Sequence, residues 1–463
     1  MEVLYGLAFG VFLIVLFGWL IAKIQTNRDH TLIQGMAPGD FGARKRKKFS
    51  RKGLRSKDVT LETLKSLIPI RSIDERILAL IHKKSEPKKS GFVLFDEGDS
   101  DNSILFLLDG VVGIEFVEGG GYRVEAGSAI SRFPLSVGPI HKYRAVAKTD
   151  VHILRVPSQL TSMSTCEKSV YRSSKEVARL KIPAELKLSG LVHTFCQHVA
   201  NDELQLPSFP DVALKLRQAI RKDVSVADAV KIIQMDPSIA AKLIQVANSP
   251  FYMTEIPAIH CKEAVNRIGL IATREIVTSI CLHQVFQAKH PRIKKFLADL
   301  WQSSIGLSSL CYVLASKTTR IDPDQALLAG LMCDIGIIPF LTFAEGFPDE
   351  LFESDELDKA IPYLRGPIGS LVLKRWKFPQ EMVKIPVMAE EWFHDSGPQL
   401  TICDIVRLAK LHSYIGSKRQ SELPPINTIP AYSKLDNVRL SPELSLALLN
   451  DAQEQVGAVK SFF

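Results

Sequence analysis

The stretch GLMCDIGIIPF, residues 330–340, holds a single carboxylate, Asp334, and a single thiol, Cys333, in a run of glycine, proline and apolar side chains. Its apolar density predicts a buried helical segment. A lone acid there has two readings. It is a hydrogen-bonded or helix-capping core acid with Cys333 as a small filler, or one member of a metal-binding set gathered from distant parts of the chain. The choice turns on whether the rest of the sequence supplies partner ligands.

The surroundings read as helix from about residue 190 onward. LPSFPDVALKLRQAI (206–220) opens on prolines and then spaces Val212, Leu214, Leu216 and Ile220 for a helix face. SVADAVKIIQMDPSIAAKLIQVANSPFY (225–252) reads as two helices, with Ser225 as N-cap of the first, Asp236–Pro237 opening the second and Asn248–Ser249–Pro250 closing it. IHCKEAVNRIGLIATREIVTSICLHQVF (259–286) adds an amphipathic pair around Gly269.

These segments, with LWQSSIGLSSLCYVLAS (300–316), ALLAGLMCDIGIIPF (326–340) and IGSLVLKRWKFPQEM (368–382), resemble the HDOD family, the HD-related output domain of bacterial signalling proteins. The resemblance runs over residues 190–415 and implies an all-α HD-like domain. Active relatives hold metal through several His and Asp side chains, and the metal activates water for attack on phosphorus. At the matching positions this chain has Ser303, Cys333 and Asp334, then Ala389 and Glu390, and Asp404 at the last. Two carboxylates stay and every histidine of that set is gone. A thiolate beside hard carboxylates, without imidazole, makes a poor site. The expectation is therefore no catalytic residue, no metal and no cofactor. Other histidines, His193 and His198 near Cys196, His260 and His283, lack a shared ligand face and read as core or surface residues. No P-loop, G-x-S-x-G or G-x-G-x-x-G suggests another chemistry.

Residues 59–160 differ. TLETLKSLIPIRSIDERILALIHK (60–83) has helical spacing, and short alternating runs follow, with Gly119–Gly120–Gly121 at a hairpin turn. This block resembles a cyclic-nucleotide-binding β-roll, through LKSLIPIRSIDERIL, LFDEGDSDNSILFLLDGVVGI and AVAKTDVHILRV. In that family a Gly-Glu pair holds the ribose and an arginine meets the cyclic phosphate. Here Ser131 and Arg132 replace the pair, and His141 or, with a gap, Arg144 takes the arginine's place. A cation where an acceptor is needed breaks the ribose contact. The roll is expected to be a structural or partner-binding module.

Residues 1–24 contain LYGLAFGVFLIVLFGWLIA (4–22), uncharged and about 28 Å long as a helix, which matches a bilayer core. Eleven Lys or Arg against two acids in residues 23–57 place everything after this anchor in the cytoplasm, on a bacterial inner membrane. That flank nets +9 and residues 1–22 net −1, so the chain's +8 leaves residues 58–463 near neutrality. The basic cluster Arg44, Lys45, Arg46, Lys47 and Lys48 suits anionic lipid head groups, and the globular part offers no nucleic-acid groove. Seven scattered cysteines without C-x-x-C fit a reducing compartment.

The resulting architecture is an anchor (1–24), a basic linker (25–58), an antiparallel β-roll (59–160), a helical connector (161–189), the HDOD domain (190–415) and an extension with a final helix capped by Ser441 (416–463). The expected function is non-catalytic signal transduction through protein–protein contacts with a signalling partner, with self-association left open. Two rivals stand: a metal-dependent nucleotide or cyclic-dinucleotide phosphohydrolase, and a nucleotide sensor working through the roll.

Overall fold

The computed structural model describes residues 55–435 except 74, 79–83, 118, 138–139, 159–182, 184–185, 187–189, 223, 250–251, 253–255, 319–320 and 348–355. The expected anchor, the Arg44–Lys48 cluster, most of the linker and connector, and the helix expected after Ser441 lie outside the described residues.

The chain enters through a helix pair, α1 (Leu61–Ser66) and α2 (Glu75–Leu78), joined by a 3-10 turn (Ile70–Ser72). Pro69 explains the break, because a proline disfavours helical backbone in the residue before it and cannot donate to a helix. Seven antiparallel strands follow: β1 (Glu86–Lys88), β2 (Val93–Phe95), β3 (Ser103–Asp109), β4 (Val111–Glu115), β5 (Gly121–Glu125), β6 (Arg144–Ala147) and β7 (Val151–Pro157). They form two sheets, ordered β1-β7-β3 and β2-β6-β4-β5.

Strand β3 is buried on both faces, and its two-residue period sorts its side chains into two cores. Leu105 and Leu107 join Val112, Ile114 and Ile153 between the sheets. Ile104 and Phe106 pack with Leu64, Ile70 and Leu78 of the leading helices. The triple glycine makes the β4–β5 turn, with Glu115 paired to Gly121. A Cβ on Gly121 would sit 2.1 Å from the Ile114 carbonyl oxygen, so glycine is required there.

The helical part comprises α3 (Gly190–Ala200), α4 (Asp211–Ile220), α5 (Val226–Ile233), α6 (Pro237–Ala247), α7 (Cys261–Ile268), α8 (Leu270–His283), α9 (Pro291–Thr318), α10 (Pro323–Met332), α11 (Ile337–Ala344), α12 (Glu356–Arg375), α13 (Gln380–Met388), α14 (Ile402–Ser413) and α15 (Pro430–Ser433). Ser225 and Asp236 cap α5 and α6, as their sequence positions predict. One apolar core runs from Leu186 to Leu435 and takes in Phe133 from the roll. Tyr122 of the roll hydrogen-bonds Asn427, and Lys142 donates to the Leu435 carbonyl at 2.7 Å. Pro323–Ala344 is long and apolar enough to cross a membrane, but 89% of its most apolar window is buried inside the fold. It is the central core hairpin.

Candidate functional site

Two glycines place the 330–340 segment. A Cβ on Gly330 would lie 2.6 Å from Ser308 Cα, so glycine lets α10 press against α9. A Cβ on Gly336 would meet the Arg365 carbonyl oxygen at 2.0 Å and the Gly369 nitrogen at 2.3 Å, so the turn after α10 lies on the α12 backbone. That approach delivers Arg365 to Asp334.

Asp334 is a buried acid with both oxygens engaged. Its Oδ1 accepts from Arg365 Nη1 at 2.9 Å, and its Oδ2 accepts from Lys410 Nζ of α14. Burial alone would raise this carboxyl, yet the Lys410 and Arg365 cations outweigh it and hold the group down at about 2. Arg365 also spans to Glu390 Oε2 at 2.9 Å, and Glu390 accepts from the Tyr414 hydroxyl. The inner set therefore balances two acids against two bases. Burial, reinforced by neighbouring Asp334, pushes the Cys333 thiol up to about 12, so it is protonated at neutral pH.

Asp404 is closed by a different set. It is fully buried at the third position of α14, in a capping box with Thr401. Its Oδ2 accepts from the Thr401 nitrogen (3.0 Å), the Thr401 hydroxyl (2.8 Å), Ser396 (3.1 Å) and Lys434 (3.3 Å). Its Oδ1 accepts from Arg407 Nη1 at 2.7 Å. Burial opposes the charge, but Arg407 and Lys434 hold this carboxyl below its ordinary value. Arg407 is fully buried, and its Nε and Nη2 have no hydrogen-bond partner among the described residues.

This donor set does not fit a catalytic metal. A divalent ion needs free carboxylate or imidazole donors, and here internal Lys and Arg occupy both acids. Cys333 is a thiol, whereas the thiolate is the metal ligand. Among the described residues no three His, Cys, Asp or Glu side chains converge as a metal site. Ser303, expected at the first ligand position, is exposed and donates to the Asp299 carbonyl. The serine that lies against the 330–340 segment is Ser308 instead. Ala389 is buried and carries no donor, while Glu390 belongs to the ion network.

In the roll, Ser131 is buried in a 3-10 turn and donates to Ser128. Arg132 donates to the Ala129 carbonyl. His141 is buried, stacks on Phe95 at 4.0 Å and hydrogen-bonds Ser136 at 2.7 Å; burial pushes its pKa down. Arg144 is exposed and 3.8 Å from Asp96. These groups are used separately and do not gather into one anion-binding cradle. His193 and His198 bond within α3, and His283 lies beside Trp301.

Sequence reasoning missed Lys410, Arg365, Arg407 and Lys434. One signal was present. In ICDIVRLAKLH the charges fall at 404, 407 and 410 with apolar residues between them, which sets them along one side of an otherwise largely apolar helix.

Residues 206–391 match the family model described as HDOD domain, so the helical module contains an HDOD domain. An uncharacterized protein of Treponema pallidum (strain Nichols) is 24% identical over 254 residues, 50% of this chain and 46% of its own length. The chain thus spans about half the length of that curated relative. Among solved structures, a protein of Shewanella amazonensis SB2B provisionally named a metal-dependent phosphohydrolase is 28% identical. The match covers 60% of this chain and 100% of that one, with a TM-score of 0.49. An HDOD domain protein of unknown function from Geobacter sulfurreducens is 20% identical over 56% of this chain and 94% of its own, with a TM-score of 0.45. A provisionally named signal transduction protein from Marinobacter aquaeolei VT8 is 18% identical over 68% and 74%, with a TM-score of 0.44.

Proposed function

We propose, on the premise that the helical module contains an HDOD domain, that this chain is a non-catalytic regulatory protein of bacterial signal transduction. It acts through protein–protein contacts of that module. One observation carries the reading: each surviving acid is paired with cations of the chain itself, Asp334 with Lys410 and Arg365, Asp404 with Arg407 and Lys434. In a metal-dependent hydrolase the ion both neutralises the acids and lowers the pKa of a bound water. Lys and Arg supply the first effect without the second. A metal entering at Asp334 would have to expel two buried cations, leaving them uncompensated in the core at a cost of several kcal/mol.

The tether belongs to the same proposal. The uncharged run 4–22 followed by eleven cations supports a single span with the folded part in the cytoplasm. Arg44–Lys48 would rest on anionic head groups, and tethering raises the concentration of the module near a membrane-bound partner. The roll, whose Arg132, His141 and Arg144 are engaged apart from one another, serves as a structural or docking module.

Metal analysis of the purified full chain, with phosphodiesterase assays in manganese, iron and zinc, tests the reading. The expected result is sub-stoichiometric metal and no turnover, identical in the wild type and Asp334→Ala. Stoichiometric metal that is lost in Asp334→Ala would overturn it.

A further inference from the structure

Away from Asp334, the roll and the helical module share a groove of about 620 Å³. Its apolar wall comes from Ile130 of the roll, Leu411 and Ile415 around the end of α14, and Leu423, Pro424 and Ile426 beyond it. Ile130 is 37% exposed and Ile415 45%, so two large aliphatic side chains face water in one place. Arg123 of β5 and Lys418 stand on the same groove, both exposed. Among the described residues neither side chain has a hydrogen bond or an ion pair. Glu125 and Glu422 are the acids nearest them in sequence, and neither lines the groove; among the described residues no other acid does. The result is an apolar trough with two unneutralised cations.

The chain's own tail starts beside it. Tyr122, which lines the groove, hydrogen-bonds Asn427, and Lys142 of the same roll holds the Leu435 carbonyl, so residues 436–463 set out from the roll. Four residues, 436–439, can span about 14 Å. Leu440 and the start signal Ser441–Pro442 come next. Leu444 and Leu448 then share one side of the expected helix, with Asp451 at the following turn. Residues 440–459 hold three acids, Glu443, Asp451 and Glu454, and no Lys or Arg.

We infer that this groove is the docking site of the chain's own C-terminal segment, with Leu444 and Leu448 on the apolar wall and the acids of 443–454 facing Arg123 and Lys418. Two independent features make the fit. Leucines at helical spacing are the anchors by which a helix enters an apolar groove. A segment of acids without a base complements a trough of cations without an acid. Docked there, the tail covers Ile130 and Ile415 and touches both modules at once. Because it is tied to the same chain a few residues away, the contact forms at high effective concentration.

Hydrogen exchange of the full chain, read by mass spectrometry on peptides within residues 440–455, tests this. Amides there are expected to exchange at least about tenfold more slowly than in an unstructured peptide. That protection should be lost in the pair Leu444→Gln with Leu448→Gln. It should be lost equally in two groove pairs, Ile130→Gln with Ile415→Gln and Arg123→Glu with Lys418→Glu. All four groove positions are exposed, so these variants keep the fold, and unchanged exchange in α9 verifies it. A tail that exchanges at the peptide rate in the wild type overturns the inference. So does protection that survives both groove pairs, since the tail would then pack elsewhere. Protection that falls on about tenfold dilution also overturns it, by assigning the groove to the tail of a second copy. None of these results bears on the metal test at Asp334.

Discussion

Asp334 and Asp404 are both buried acids, and both accept from two of the chain's own cations, but the cations arrive by different routes. Most partners of Asp404 are neighbours in sequence: Thr401 three residues before, Arg407 three after and Ser396 eight before. The partners of Asp334 come from 31 and 76 residues away, on α12 and α14. A local nest can form with its own helix. A long-range nest exists only once three helices have docked, so its energy belongs to tertiary structure.

The sharpest way to break this contrast is Lys410→Met. It strips Asp334 of its Oδ2 partner inside the fold, and a buried pair cut on one side loses about 3–5 kcal/mol. Denaturant midpoints of the full chain read this directly. The double variant Asp334→Leu with Lys410→Met should lose less than the two single losses added together. Simple additivity would mean that the two groups are not coupled.

A smaller effect is expected in acid. The Asp334 carboxyl is depressed from about 3.9 in the unfolded chain to about 2 in the fold. Its stabilisation is complete above the unfolded value and is lost as pH falls toward the folded one. That amounts to about 2 kcal/mol between roughly pH 5 and pH 2. Stability measured over this window should fall less steeply in Lys410→Met than in the wild type, and an unaltered slope would detach Lys410 from the titration. The smallest change is Thr401→Ala, which removes the α14 cap and the hydroxyl donor to Asp404 while the backbone N–H of residue 401 stays. It should cost about 1 kcal/mol, because Arg407 and Lys434 still face the acid. A loss as large as that of Lys410→Met, seen by the same denaturation, would erase the distinction between the two nests.

The same local-versus-distant split governs what could be read before the fold was known. The Ser225 and Asp236 caps, the break at Gly269 and the glycine hairpin at 119–121 depend on a few adjacent residues, and each stands where its pattern puts it. The helical spacing at the start of the roll yields two short helices, α1 and α2, on either side of Pro69. At the site, Asp334 was legible as a core acid, but not its partners. Nothing in the spacing of Arg365 and Lys410 ties them to an acid 31 or 76 positions away. Ser303 and Ser308 are indistinguishable by type, and only the close approach of Gly330 shows which one packs on the segment.

The position of Lys410 bears on how the molecule can be dissected. The matched family region closes at residue 391, so a fragment trimmed there keeps Asp334 and Arg365 yet discards α14 altogether. Such a piece would present a stripped carboxylate and a raw apolar wall to solvent, a recipe for an insoluble product. The smallest self-sufficient piece of the helical module must extend through Leu435.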